Sequence, residues 1–385
     1  MIEERAYQIC NRCVMDTTAK EITFNDDGIC NFCSEFEVLA HKTIWRPLAV
    51  RQKELIDKIE RIKQFGRKDQ YNCLIGLSGG VDSSYICHWV KEEGLRPLIV
   101  HFDNGWNSEL AIRNIEKIIS KTGFDLYTYV INWEEFKDLQ LSYLKASVVD
   151  IEVPTDQLII ATLFKVAKKF KIKTIISGTN LSSEAILPES WVYMNKTDLV
   201  NLTNIHRKFG TVKLKDFPKL SMIQRYINSR LYQLESVAPL DLLDYDKDKA
   251  KKFLMHEYDW KDYGGKHYES VFTRFYQGYI LPEKFGIDKR RAHLATLVAA
   301  KLKDREAALE ELKQPTYDPK LQQEDINYVC KKFGIPLSEF EHIMKQPRIE
   351  HSYYGTEWDN KEFRKFYYFR KIFGPVTNLI SKIKA

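Results

Sequence analysis

Short apolar runs alternate with stretches of helical periodicity through the middle of the chain. The runs are CLIGL at 73–77, PLIVHF at 97–102, LYTYVI at 126–131 and KTIISG at 173–178, and helix-like stretches lie at 83–93, 108–121 and 156–171. Strand and helix alternating in this way predict βαβ units, with a parallel sheet covered on both faces, and hence an α/β domain. Upstream, Leu48, Leu55, Ile59 and Ile62 recur at helical spacing between Pro47 and Phe65, which predicts an amphipathic connecting helix ending near Gly66. Past residue 240 the strand-like runs stop, and the rest predicts helices punctuated by Gly264, Pro282, Gly286, Pro315, Pro319, Gly334 and Pro336. Residues 1 to 40 have little apolar periodicity and hold four cysteines, so a small module held by metal rather than by a core is expected there. The expected organisation is a zinc-binding module over 1–42, a linker helix over 43–70, the α/β domain over 71–240 and a helical substrate or partner domain over 241–385. The basic end, FRKFYYFRKIFG, predicts an exposed amphipathic helix, with docking or packing favoured over membrane contact.

Composition narrows the class. At 385 residues the chain exceeds one ordinary domain, and its 44% hydrophobic share allows a sizeable core. No apolar run approaches the ~20 residues that a bilayer-spanning helix needs. The start, MIEERAYQIC, has neither a basic opening nor an apolar stretch of signal-peptide length, so a cytoplasmic location is expected. The net charge of +6, from 59 basic and 53 acidic residues, falls short of a dedicated nucleic-acid binder; an anionic small molecule, or simply solvated surface lysine, accounts for it.

Cys10-x-x-Cys13 and Cys30-x-x-Cys33 are separated by sixteen residues, a spacing that suits two knuckles meeting around one tetrahedral ion. Four protein ligands leave no open position, so the expected role is structural. An iron–sulfur cluster could use the same ligands, but ribbon-like turns such as DDGIC favour zinc. Cys73 and Cys87 are expected to be buried, inert thiols.

The run CLIGL leads directly into Ser78, Gly79, Gly80, Val81, Asp82, Ser83 and Ser84, and an apolar-periodic helix follows at once. Glycines let backbone approach an anion, while the helix N-terminus supplies unpaired N–H groups and partial positive charge. No lysine follows the glycines, so this is not the G-x-x-x-x-G-K-[ST] loop of γ-phosphate hydrolysis. SGGVDSS at a strand-to-helix junction resembles the PP-loop of the ATP pyrophosphatases, which implies a HUP-like fold and a loop that holds the pyrophosphate leaving when a substrate oxygen attacks the α-phosphorus. The resemblance makes Ser78, Gly79, Gly80, Asp82, Ser83 and Ser84 the phosphate contacts, Ser78 and Asp82 also catalytic, with ATP and Mg2+ as cofactors. It adds His101 and Asp103 in VHFDNGW, and Gly178, Asn180 and Glu184 in and after SGTN, as nucleotide contacts. These lie at the carboxyl ends of expected parallel strands, where α/β sheets bind ligands. Asp103 and Asn180 could each merely cap a turn.

Farther on, residues 264 to 295 set Lys266, His267, Glu269, Arg274, Lys289, Arg290, Arg291 and His293 among aromatics, a density of cations suited to an anionic sugar nucleotide or to a solvated basic helix pair. Taken with CxRCVMDTT, the second CxFC, SGGVDSSY, HFDNGWNS, SGTNLSSE, KHYES and FGIDKRRAHLA, the chain resembles, from residue 5 to about 320, the N-acetyl sugar amidotransferase family of surface-polysaccharide (LPS O-antigen) biosynthesis. The resemblance implies that ATP adenylates the amide oxygen of an N-acetyl group on a nucleotide-activated sugar, and that ammonia then displaces AMP to leave an acetamidino group. It implies a separate glutaminase partner, similar to the glutamine-hydrolysing subunit of imidazole glycerol phosphate synthase. Lys266, His267, Glu269, Arg274, Lys289 and Arg290 become substrate contacts; Lys266, His267, Arg290 and His293 become catalytic candidates, with His267 or His293 suited by ordinary histidine acidity to proton transfer. The segment LVAAKLKDREAALEEL departs from the family, which has a glycine before the Arg-Glu pair where Lys303 or Asp304 stands here; the turn there is in question. The competing reading is a tRNA thiolation enzyme that adenylates a base carbonyl for sulfur transfer, which needs a further reactive cysteine or a cluster.

Overall fold

Five strands form one parallel sheet in the order β3-β2-β1-β4-β5, in a computed structural model that describes residues 6–265 and 268–368. They are β1 Cys73–Gly76, β2 Pro97–Asp103, β3 Asp125–Val130, β4 Thr174–Ile176 and β5 Glu235–Val237. Ile75 of β1 lies opposite Ile99 of β2 and Ile176 of β4. Connections run outward from β1 through β2 to β3, then return to the other side for β4 and β5. The strand order therefore reverses beside β1, which leaves a crevice at the carboxyl ends of β1 and β4.

Alternation along the strands sorts the covering helices. Leu74, Leu98 and Val100 pack on Val166 and Ala167 of α6 (Val153–Lys169). Ile75, Leu77, Ile99 and Ile176 face the other side, with α2 (Leu48–Phe65), α3 (Val81–Glu92), α4 (Glu109–Thr122) and α10 (Lys247–Tyr258). The helix expected to be a connector thus buries Leu55, Ile59 and Ile62 against the sheet.

A second core joins the cysteine segment and α1 (Asn31–Lys42) to α5 (Trp133–Lys145), α8 (Leu199–Phe209) and the C-terminal helices, through Met15, Phe36, Phe136, Trp191, Phe272 and Phe340. The remaining helices are α7 (Leu181–Glu184), α9 (Met222–Leu231), α11 (Val271–Phe275), α12 (Leu281–Phe285), α13 (Lys289–Ala299), α14 (Arg305–Leu312), α15 (Pro319–Phe333) and α16 (Leu337–Lys345). Between α11 and α12 the segment Tyr276–Ile280 forms a π-turn without breaking the helical path. In LVAAKLKDREAALEEL the left-handed residue is Lys301, at φ 62°, and Asp304 caps α14 by accepting from Ala307 N at 3.1 Å. The turn is thus made without a glycine. Among the described residues no helix is long and apolar enough to cross a membrane. Of FRKFYYFRKIFG, positions 369–374 lie outside the described residues, as do Lys266 and His267.

Candidate active site

Leu77 carries the chain from β1 into Ser78, Gly79 and Gly80, and α3 begins at Val81. Gly79 has φ +84°, and a Cβ added to it would stand 2.6 Å from the Ala111 carbonyl oxygen, so α4 presses directly on the loop. The buried Trp260 indole donates to Gly79 O at 2.9 Å. Ser78 Oγ and Ser83 Oγ lie 3.2 Å apart, and Gly80 N donates to Ser78 Oγ at 3.3 Å. These contacts fix a loop whose neighbouring helix start projects backbone donors and the positive end of the helix dipole. The turn after β4 closes on it: a Cβ on Gly178 would lie 3.2 Å from Ser83 N.

Two lysines face this loop that nothing in the local sequence pattern marks. Asp82 Oδ2 meets Lys247 Nζ at 2.8 Å while its Oδ1 accepts from Tyr245 OH at 2.5 Å. One turn further along α10, Lys251 pairs with Asp262. Ser78, Gly80, Asp82, Ser83, Gly178, Lys247 and Lys251 all line one cavity of about 420 Å3. A second cavity, about 360 Å3, shares Ser78 and Glu269 with it and extends over the ends of β1 and β2 to Asp150, Glu152, Asp156, Lys196 and Tyr276. A third, about 610 Å3, shares Glu184 and His293 with the first, and Gln277 and Lys289 with the second. The π-turn places Tyr276 and Gln277 on these walls.

The expected site residues fall into three groups. Ser78, Gly80, Asp82, Ser83, Gly178, Glu184, Glu269 and His293 line the phosphate-loop cavity, and His101 lines the adjoining one. His101 donates from Nδ1 to Leu77 O at 3.2 Å and accepts at Nε2 from Asn107 at 3.2 Å, an assignment of the neutral tautomer from the bonding network; burial pushes its pKa down, in agreement. His293 Nδ1 donates to Ser183 O at 2.8 Å.

Among the expected cations, Arg274 is held bidentately by Asp325 at 2.7 and 2.8 Å, and Arg290 by Asp288 at the start of its own helix. Both line the third cavity with their charge already matched. Lys289 lines the second and third cavities and has no ion pair among the described residues, which leaves its charge able to meet an anion.

Three expected contacts sit elsewhere. Ser84 is fully buried, because α3 turns it inward with Val81 and Cys87, so its hydroxyl does not reach the phosphate-loop cavity. Asp103 accepts from Gly105 N at 3.1 Å and holds a turn. Asn180 is buried and accepts from Ser183 Oγ at 2.8 Å. None of these three, nor Gly79 of the phosphate loop, lines a cavity described above.

The four cysteines meet as their spacing predicts. All four are buried, their sulfurs lie within 4.8 Å of one another, and Cys10 to Cys33 and Cys13 to Cys30 are 3.9 and 3.7 Å apart. Sulfurs ~2.3 Å from a central ion in a tetrahedron stand roughly 3.8 Å apart, so the set fits a closed tetrahedral metal site. Backbone N–H groups of Arg12, Cys13 and Cys30 point at Cys10 Sγ, at 3.4, 3.4 and 3.2 Å, which stabilises thiolate charge. From the C-terminal half, Arg305 donates to Cys10 O and Cys13 O, and Arg291 donates to Val14 O at 2.6 Å and pairs with buried Asp16. The remaining thiols are buried: Cys87 is pushed up to about 12, and burial raises Cys73 and Cys330 as well, so none is poised as a nucleophile.

Residues 269–366 match the family model described as LPS biosynthesis protein WbpG-like, C-terminal domain. The matched segment holds Glu269, Arg274, Lys289, Arg290 and His293. An uncharacterised protein of Methanocaldococcus jannaschii is 24% identical over 327 residues, covering 82% of this chain and 96% of that protein. The tRNA(Ile)-lysidine synthase of Chlamydia pneumoniae is 34% identical over 70 residues, 18% of this chain and 22% of its own length. Among solved structures, NMN synthetase from Francisella tularensis aligns at 13% identity and TM-score 0.30, covering 60% of this chain and 93% of that one. The NH3-dependent NAD synthetase of Campylobacter jejuni aligns at 14% identity and TM-score 0.34, covering 78% and 98%.

Proposed function

We propose that this chain is an ATP-dependent amidotransferase of surface-polysaccharide biosynthesis, which adenylates the N-acetyl amide oxygen of a nucleotide-activated sugar and replaces it with ammonia-derived nitrogen. The products are an acetamidino sugar, AMP and pyrophosphate. The observation that carries this reading is the glycine-serine loop at the sheet's reversal point, opening into cavities whose far wall lies in the segment matching the WbpG-like domain.

An amide carbon is a poor electrophile and its oxygen a poor leaving group; esterifying that oxygen to AMP corrects both. Ser78, Gly80 and Ser83 would receive the departing pyrophosphate, with Lys247 and Lys251 opposing its charge, and Asp82 would keep Lys247 aimed at the loop. Bound Mg2+ would supply further charge neutralisation, and the Asp248 and Asp262 carboxylates in the same cavity offer the hard oxygen ligands it prefers. The third cavity, at about 610 Å3, has the size of a small-molecule site, and Lys289 would meet an acidic or phosphorylated part of the sugar nucleotide there. The four cysteines would hold zinc in a structural role, and ammonia would come from a glutaminase partner.

The test is AMP and pyrophosphate release from ATP with a panel of nucleotide-linked N-acetyl sugars plus ammonium. Sugar-dependent release is expected, with a product lighter by the exchange of oxygen for NH. Ser78→Ala should lower the rate by about 10²–10³-fold, the usual cost of one charge-stabilising donor, and Asp82→Ala should lower it as well. AMP release that requires unmodified tRNA and a sulfur donor instead would replace this reading with thiolation.

A further inference from the structure

The second cavity holds a carboxylate that binding ATP and sugar does not explain. Glu152 precedes α6, its Oε2 accepts from Thr273 Oγ1 at 2.9 Å, and its Oε1, shut off from bulk water, has no hydrogen-bond partner among the described residues. A buried carboxyl oxygen without a donor is costly to keep in a fold unless something else uses it. The cavity it lines also contains Ser78 of the phosphate loop and Leu77 at the end of β1, so it adjoins the place where the adenylated carbon must lie.

We propose that Glu152 is the general base that takes the proton shed by the incoming nitrogen when ammonia attacks the adenylated carbon. This rests on the amidotransferase reading. Ammonia forms a C–N bond to the protonated O-adenylyl imidate, giving a tetrahedral centre with an –NH3+ group. The C–O bond to AMP then breaks, and AMP leaves with that electron pair. The amidinium product keeps two hydrogens on the new nitrogen, so one proton must depart, and the Glu152 carboxylate that lines the cavity is a group able to accept it.

The charged surroundings suit that work. Asp150 is buried and paired with Lys196, which also pairs with Asp156 at 2.9 Å. Lys289 on α13, Tyr276 of the π-turn, and His101 and Glu269 line the same cavity. Burial first, then the Asp156 charge, push Glu152 up to about 7, with the Thr273 hydrogen bond lowering it and Asp150 and Lys289 contributing less in opposite directions. A base of that strength is half ionised near neutrality and holds the proton it takes. The unpaired oxygen separates Glu152 from Asp150 and Asp156, whose carboxylates are tied to Lys196.

Glu152→Gln keeps shape and the acceptor for Thr273 while removing the base. Two half-reactions are to be compared in wild type and variant across pH 5.5–8.5: sugar-dependent ATP–pyrophosphate exchange, and transfer of ammonia nitrogen to the sugar, read by mass. With free NH3 held constant across the pH range, exchange should stay within about two-fold, whereas transfer should fall by about 10²–10⁴-fold, and the wild-type loss of transfer as pH drops through about 7 should vanish. Hydroxylamine, a less basic nitrogen whose adduct gives up its proton to water more readily, should restore part of the transfer. Equal transfer and an unchanged acidic limb in Glu152→Gln overturn the assignment, as does a parallel loss of exchange. A wild-type protein that exchanges pyrophosphate with no sugar and transfers no nitrogen overturns the amidotransferase reading, and this inference with it.

Discussion

At Gly79 two constraints coincide: a left-handed backbone with φ +84°, and an Ala111 carbonyl oxygen that any Cβ would approach to 2.6 Å. The conformation alone costs an L-residue about 1–2 kcal/mol, and the close contact adds to that by pushing the loop off α4. Gly79→Ala should therefore lower the melting temperature and weaken ATP binding together, as thermal shift with and without nucleotide would read; a variant that melts and binds like wild type would show that the loop is not under this constraint. The glycine was legible in the sequence because SGGVDSS sits at the end of an apolar run. Ser84 was not, since one more serine in the motif looks like one more donor, and only the inward stripe of Val81, Ser84 and Cys87 on α3 shows that it faces the core. Lys247 and Lys251 were also illegible: among 59 basic residues nothing local distinguishes two lysines that a later helix folds back over the loop.

Elements depend on each other in ways that spacing does not record. The cysteine knuckles were readable because Cys-x-x-Cys twice over is a local pattern, whereas their anchors come from nearly three hundred residues downstream, with Arg291 on α13 and Arg305 opening α14. Arg305 bonds the carbonyl oxygens of Cys10 and Cys13, and hydrogen bonds from a charged group are worth ~1.5–3 kcal/mol. Arg305→Ala should melt lower and surrender its metal faster to a chelator, read by calorimetry and by a colorimetric indicator of released zinc. Unchanged release kinetics would mean that the knuckles hold themselves. The same helix α13 carries Lys289 and His293, so the cysteine module buttresses a wall of the site. β5 escaped notice for a different reason: Glu235, Ser236 and Val237 are too short and too polar to signal a strand, and pairing with β4 supplies what propensity does not. The start of α5 is marked in the sequence, with Asn132 capping it and Glu134 and Glu135 in its first turn, but a single capping residue between two apolar runs is a weak signal beside the strand it follows.

The C-terminal segment is fastened across the molecule by a buried group of polar residues rather than by a helix pair. Asp198 caps α8, accepts from Tyr193 OH at 2.7 Å and receives Glu357 N at 3.0 Å, while Glu357 accepts from Leu199 N at 3.3 Å. His351 stacks on Tyr193 with ring centroids 4.2 Å apart and bonds Asn201. Burial, reinforced by the Asp198 charge, pushes Glu357 from its ordinary 4.5 up to about 7, and burial pushes His351 from 6.5 down to about 4. The two act on opposite sides. Between about pH 4.5 and 7 the folded chain keeps a proton on Glu357 that the unfolded chain has released, so this group's contribution to stability falls as pH rises through that window and stays low above it. His351 is kept neutral by the fold; its contribution is present above 6.5 and is lost as pH falls towards 4. Glu357→Gln removes the first effect and leaves the second. Melting curves of the two proteins should therefore nearly coincide near pH 5 and separate as pH rises, with the variant the more stable at pH 8; on acidification below 6.5 the variant shows the His351 loss undiluted, while in wild type the Glu357 gain opposes it. A variant less stable than wild type at pH 8 would mean that the ionised Glu357 is a net holder of the clasp, and that the C-terminal segment is fastened by charge rather than in spite of it.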